Sequence, residues 1–182
     1  MEMDNPTARR WLDKHREQVV DGNTVEVEVF VRSLSPPLGA RQRQEQLLKQ
    51  LQELSERDRI DSYRVNLWGG GVCLCDVCSG TSAARSMLDS IDKFEQWATS
   101  EGDVSLPFER RSVDSTMLDQ SSTDLVVPSL CLSVTAGTDL CGVFPCTVAG
   151  EDISVTDYVE MLSSTETVET ETGESQDPIA QI

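Results

Sequence analysis

The chain reads as an α+β domain, a mostly antiparallel sheet with two main helices packed on one face, in the order β-α-β-α-β-β-β. Three observations predict this class. Val25, Val27, Val29 and Val31 alternate with Glu26, Glu28 and Phe30, the period-two pattern of a half-buried strand. Two later segments repeat apolar residues at helical spacing. Finally, Ala136-Gly137-Thr138 lies between two β-rich runs, as a hairpin turn would.

Taken in order, Asn5 and Pro6 suit the N-cap and first position of a short helix over 5–20 in an N-terminal extension, residues 1–23. Trp11, Leu12, His15 and Val19 give that helix a weak apolar stripe, and Asp21-Gly22-Asn23 is a turn signal. A single α+β domain is expected over 24–162. It begins with the strand at 24–33, followed by the loop Ser35-Pro36-Pro37-Leu38-Gly39. A helix over 40–57 aligns Leu47, Leu48, Leu51 and Leu54. Tyr63, Val65 and Leu67 mark a second strand that ends at Trp68. Gly69-Gly70-Gly71 opens a Cys-rich loop to Gly80. The second main helix, 81–99, buries Ala84, Met87, Leu88, Ile91, Phe94 and Ala98. Val104, Leu106 and Phe108 suggest a third strand, and the Ser/Thr-rich stretch 112–124 reads as loop. Runs 125–134 and 139–146 form the expected hairpin, 154–162 a short helix, and 163–182 a disordered acidic tail without apolar periodicity.

Charge narrows the function classes. The chain has 182 residues, 32 Asp+Glu against 15 Lys+Arg, and a net charge of −17. Twelve of the bases are Arg and only three are Lys: Lys14, Lys49 and Lys93. Many carboxylates with few lysines suit a cytoplasm at molar salt, where the Debye length falls to about 3 Å and self-repulsion is screened. No Lys or Arg follows Arg111, so residues 112–182 hold 13 carboxylates and no base. A surface that meets DNA or another anion is therefore expected within residues 1–111. No hydrophobic run approaches a membrane span, and the first residues lack the apolar stretch of a signal peptide. A cytoplasmic protein with no membrane association is expected.

Two constellations carry candidate chemistry. Cys75 and Cys78 form a C-x-x-C pair on a Gly-bounded loop, and Cys141 and Cys146 form a second pair. Together they offer the four thiolates of a zinc site, with Cys73 or Cys131 in reserve. Buried thiols are the structural alternative, with Cys131 and Cys141 as cross-strand neighbours in the hairpin. No cofactor is expected on balance, and zinc is the one these residues could hold. The second constellation is Arg41 and Arg43, in the first turn of a helix where carboxylates are the usual choice. Two arginines at a helix N-terminus suit an anion; the alternative is pairing with carboxylates such as Glu45. His15 is the single histidine and lies on a peripheral helix, so no residue is assigned a catalytic role. Trp68 and Trp97 read as core or core-edge aromatics.

The run Phe30-Val31-Arg32-Ser33-Leu34-Ser35-Pro36-Pro37-Leu38-Gly39-Ala40-Arg41-Gln42-Arg43-Gln44 resembles the signature of a family of small acidic proteins from halophilic archaea labelled "helix-turn-helix (HTH) domain". Val65-Asn66-Leu67-Trp68-Gly69, Phe94-Glu95-Gln96-Trp97, Pro128-Ser129-Leu130-Cys131-Leu132 and Gly142-Val143-Phe144-Pro145-Cys146 extend the resemblance over roughly 24–147. It implies a transcription-associated role with DNA or a protein as partner, and it carries over no catalytic residues. The expected function is a non-enzymatic regulatory or interaction module of a halophile. The alternatives are a zinc-binding or thiol-based sensor using the Cys cluster, and an enzyme acting on a small anion near Arg41 and Arg43.

Overall fold

A computed structural model of the chain describes residues 5–21, 24–115 and 120–164, and it is α+β as the sequence predicts. Helix α1 (Pro6–Asp21) precedes strand β1 (Val25–Val31), α2 (Leu38–Glu56) and β2 (Ser62–Leu67). Then come β3 (Gly71–Cys73), the single-turn α3 (Asp76–Ser79) and α4 (Ser82–Glu101). The rest is mostly sheet: β4 (Val104–Ser105), β5 (Glu109–Ser115), β6 (Gln120–Val126), β7 (Leu130–Ala136), β8 (Asp139–Phe144), β9 (Cys146–Val148) and β10 (Glu151–Ile153). Helix α5 (Val155–Ser164) closes the described residues, and the expected tail beyond Ser164 lies outside them.

The central sheet has the order β2-β1-β7-β8. β1 and β2 run parallel with α2 between them, because parallel neighbours need a crossover. β7 and β8 are antiparallel additions. The valine alternation of β1 has its expected cause, since Val25, Val27, Val29 and Val31 are all buried while Glu26 is exposed. Phe30 breaks the polar half of the pattern. It points to the opposite face and meets Trp68 at 4.9 Å and Phe94 of α4 at 5.5 Å between ring centroids. A strand covered on both faces loses its polar side.

Both main helices follow their stripes. Leu47, Leu51 and Leu54 are buried on α2, and Ala84, Met87, Ile91, Phe94, Trp97 and Ala98 on α4. Thr81 caps α4, its side-chain oxygen accepting the Ala84 N–H at 3.2 Å. Asn5 does the same for α1, accepting the Thr7 N–H at 2.9 Å. Its amide also donates to the Ala149 carbonyl at 2.8 Å, which ties the start of α1 to the β9–β10 turn. Ala8, His15 and Val19 of α1 are buried, so the helix is part of the core.

The expected loop at 112–124 is instead part of a hairpin. β5 and β6 pair from Glu109↔Val126 to Ser115↔Gln120, and β3 adds to the other side of β6. The third strand expected from Val104 to Phe108 is only Val104–Ser105, and it joins a separate small sheet, β10-β9-β4. The run 125–134 is two strands, broken at Val127-Pro128-Ser129.

Candidate functional site

Cys73, Cys75 and Cys78 meet at the junction of β3, α3 and α4. Their three sulfurs all lie within 4.8 Å of one another. Strand pairing positions the first: Cys73 sits opposite Asp124 of β6, and the next residue, Leu74, donates its N–H to the Thr123 carbonyl at 2.8 Å. The chain then turns, and extended Cys75 becomes the N-cap residue of α3. The Cys75 carbonyl accepts the Ser79 N–H at 3.0 Å and the Ser79 hydroxyl at 2.8 Å, closing the single helical turn that returns Cys78 beside Cys75. Gly71 makes this placement possible. Its φ is +151°, and a Cβ there would stand 2.3 Å from the Leu125 carbonyl oxygen, so only glycine lets β3 approach β6 this closely.

Cys75 and Cys78 are electrostatically unlike. Cys75 is drawn below the ordinary thiol range, first by the Cys78 backbone N–H and then by hydrogen bonds from the Cys73 and Cys78 side chains. A thiolate at Cys75 in turn pushes Cys78 up to about 11. The Cys75 N–H donates to the Cys73 sulfur at 3.4 Å. Cys73 and Cys75 are half-buried and Cys78 is exposed, so the cluster opens to solvent.

The second sequence pair is elsewhere. Cys141 and Cys146 are buried and lie outside this group of sulfurs, so the structure does not assemble Cys75, Cys78, Cys141 and Cys146 into one site. Burial pushes Cys146 up to about 12 and raises Cys131 further, an inert setting for a thiol. Cys131 and Cys141 are not the cross-strand neighbours the hairpin pattern suggested. A register shift after Val134 pairs Thr135 with Leu140 but Val134 with Gly142, leaving Cys141 as the bulged residue. The thiol that Cys131 has as an electrostatic neighbour is that of Cys146.

Arg41 and Arg43 are both exposed at the start of α2. Arg41 donates to the Ser35 hydroxyl at 3.3 Å and Arg43 to the Gly39 carbonyl at 3.4 Å. Neither forms an ion pair with Glu45 or with any other carboxylate among the described residues. The first turn holds no acidic residue, and the N-cap residue Pro37 supplies no side-chain cap. The structure therefore leaves both guanidinium groups at the surface.

His15 is buried rather than peripheral, at 2 % exposure. One ring nitrogen, Nδ1, lies 3.1 Å from the Cys141 carbonyl and so carries the proton, and Nε2 accepts from the Tyr158 hydroxyl at 2.9 Å. Desolvation lowers its pKa to about 4, so the ring is neutral at pH 7. Gly142 adjoins it, and a Cβ there would stand 2.8 Å from both the His15 and Phe144 rings. This is a satisfied core network. Trp68 and Trp97 are buried as expected.

Cys73 is the residue that spacing arguments held only in reserve. The signal was present as C-x-C-x-x-C, but the strand pairing that turns its sulfur toward the other two lies in the hairpin read as loop. Among the described residues, no helix is long and apolar enough to cross a membrane. A family model described as "Helix-turn-helix domain" matches residues 20–167. No curated protein and no solved structure matches the chain. The two long helices α2 and α4 are separated by β2, β3 and α3. Among the described residues, only α3 and α4 are helices joined by a short turn, Gly80-Thr81, and α3 is a single turn of four residues.

Proposed function

The chain belongs to the helix-turn-helix domain family, and from that premise we propose that it is a non-enzymatic regulatory module associated with transcription, working in the cytoplasm of a salt-loving organism. The family match over 20–167 carries this reading. The charge division supports it, because every base lies in the first 111 residues and an anionic partner has nowhere else to dock. Within that part, Arg41 and Arg43 are the proposed phosphate contacts. They are exposed and, among the described residues, without a carboxylate partner; Arg41 lies in the first turn of α2, where the helix dipole favours an anion, and Arg43 in the second.

Duplex binding measured by fluorescence anisotropy over a KCl series tests this. Affinity is expected to fall with salt. The Arg41→Ala/Arg43→Ala variant is expected to bind more weakly, and to flatten the log–log salt slope by roughly 1 to 2, since each released phosphate contact contributes about 0.9. No binding at any salt that keeps the protein folded, or an unchanged double variant, would remove DNA from the reading and leave a protein partner. The cluster of Cys73, Cys75 and Cys78 favours a second reading, a zinc- or thiol-based sensor.

A further inference from the structure

We infer that Cys73, Cys75 and Cys78 form a three-thiolate site for a thiophilic d10 cation, Zn(II) or Cu(I), with the solvent-facing side of the ion left to an external donor. Three sulfurs within 4.8 Å of one another are close to what such an ion needs. Zn–S bonds of about 2.3 Å in tetrahedral geometry place sulfurs roughly 3.8 Å apart, so the loop has to draw in by no more than about 1 Å. Three converging thiols are also not explained by a disulfide, which would use two and strand the third, and all three are free.

The cluster has the second features of a thiolate site. The Cys75 N–H already points at the Cys73 sulfur, the kind of backbone hydrogen bond that steadies a sulfur ligand. The framework is anchored on both sides, by the β3–β6 pairing before it and by the capped α4 after it. Cys78 is exposed, which gives an ion an entry path. Binding transfers the S–H protons to solvent. Three thiolates around Zn(II) leave one net negative charge, and around Cu(I) two.

No fourth Cys, His, Asp or Glu among the described residues joins this group. That distinguishes it from a closed structural site, which uses four protein ligands. Cu(I) would be satisfied by three thiolates, whereas Zn(II) would take water or a free thiol as its fourth ligand. Both ions share the same soft-donor chemistry, and the test separates them.

The experiment uses the full chain, reduced, in molar KCl under anaerobic conditions. Zn(II) and Cu(I) are each titrated against a chromophoric chelator, and Co(II) serves as the spectroscopic probe. One ion per chain is expected, with thiolate-to-cobalt charge-transfer absorption. Cys73→Ser, Cys75→Ser and Cys78→Ser are each expected to weaken binding at least tenfold. The Cys141→Ser/Cys146→Ser variant is expected to bind as the parent does. Adding a small thiol is expected to alter the cobalt ligand-field bands if the fourth position is open. No retained ion in the parent, or full retention by the Cys73→Ser/Cys75→Ser/Cys78→Ser variant, overturns the site. Loss in Cys141→Ser/Cys146→Ser with retention in Cys73→Ser overturns it in favour of a site that shares Cys75 and Cys78 with Cys141 and Cys146. Circular dichroism of each metal-free variant separates ligand loss from unfolding. Metal content is read without DNA, so its outcome is independent of the regulatory reading.

Discussion

His15 shows how far a single residue can depart from its sequence context. Its helix has a weak stripe, and nothing in the residues around it announces a buried ring stacked on Trp11 at 5.4 Å and hydrogen-bonded to a tyrosine 143 positions away. The consequence is pH dependence. In the unfolded chain the imidazole takes a proton near pH 6.5, while in the fold it resists until about pH 4. As pH falls through that window the unfolded state gains the proton first, so stability present above pH 6.5 is progressively lost. The limit is on the order of 3 kcal/mol, from about 1.4 kcal/mol per pKa unit. Urea unfolding at pH 7 and pH 4.5 is expected to show this loss. It is expected to shrink in His15→Gln, which itself destabilises by roughly 2 kcal/mol through the altered hydrogen bonds to Tyr158 and Cys141. An equal pH loss in both proteins would assign the effect to carboxylates.

Elements with a periodic buried stripe were legible, and those without were not. β1, α2 and α4 carry the periodic stripes that their burial demands. The β5–β6 hairpin was missed because Glu109, Arg110, Arg111 and Ser112 are exposed, so no alternation marks the strand. Its ties are polar and local: Arg110 grips Glu95 of α4 through two bonds of 2.9 and 3.0 Å, and Leu125 is the buried anchor. Such a half-exposed pair contributes at most about 1 kcal/mol. The Cys cluster inherits this difficulty, because its geometry depends on β3 joining that same hairpin. Gly71→Ala is therefore expected to part β3 from β6 and cost roughly 2 to 4 kcal/mol, by placing a methyl against the Leu125 carbonyl. Amide exchange is expected to quicken at Val72 and Leu74 before it does in β1. Protection retained there in the variant would show that the strand can shift without separating.

At the scale of the whole molecule, net charge sets the conditions for folding. Asp124, Asp139, Glu151 and Asp152 all fall in the stretch that has no base, and a compact state confines this unbalanced charge to a smaller volume than the unfolded chain does. At 0.1 M salt the Debye length is about 10 Å, and at molar salt about 3 Å. The thermal midpoint is expected to rise steeply from low to molar KCl, and removal of residues 165–182, the expected tail beyond α5, to leave that slope nearly unchanged, since a solvated tail can spread its charges apart. A midpoint flat from about 0.1 to 2 M KCl would end the halophile reading. The sheet order has its own consequence during synthesis. β1 leaves the ribosome early, yet its antiparallel neighbour β7 follows about a hundred residues later in the chain, and Tyr158, which completes the hydrogen bonding of His15, comes later still. A nascent chain that has delivered β1, α2 and β2 still presents one open edge of a valine strand, able to pair with any other extended peptide. Glu26 and Glu28 interrupt the apolar run of that strand, and charged side chains of this kind make an open edge a poorer match for a foreign strand until its own partner arrives.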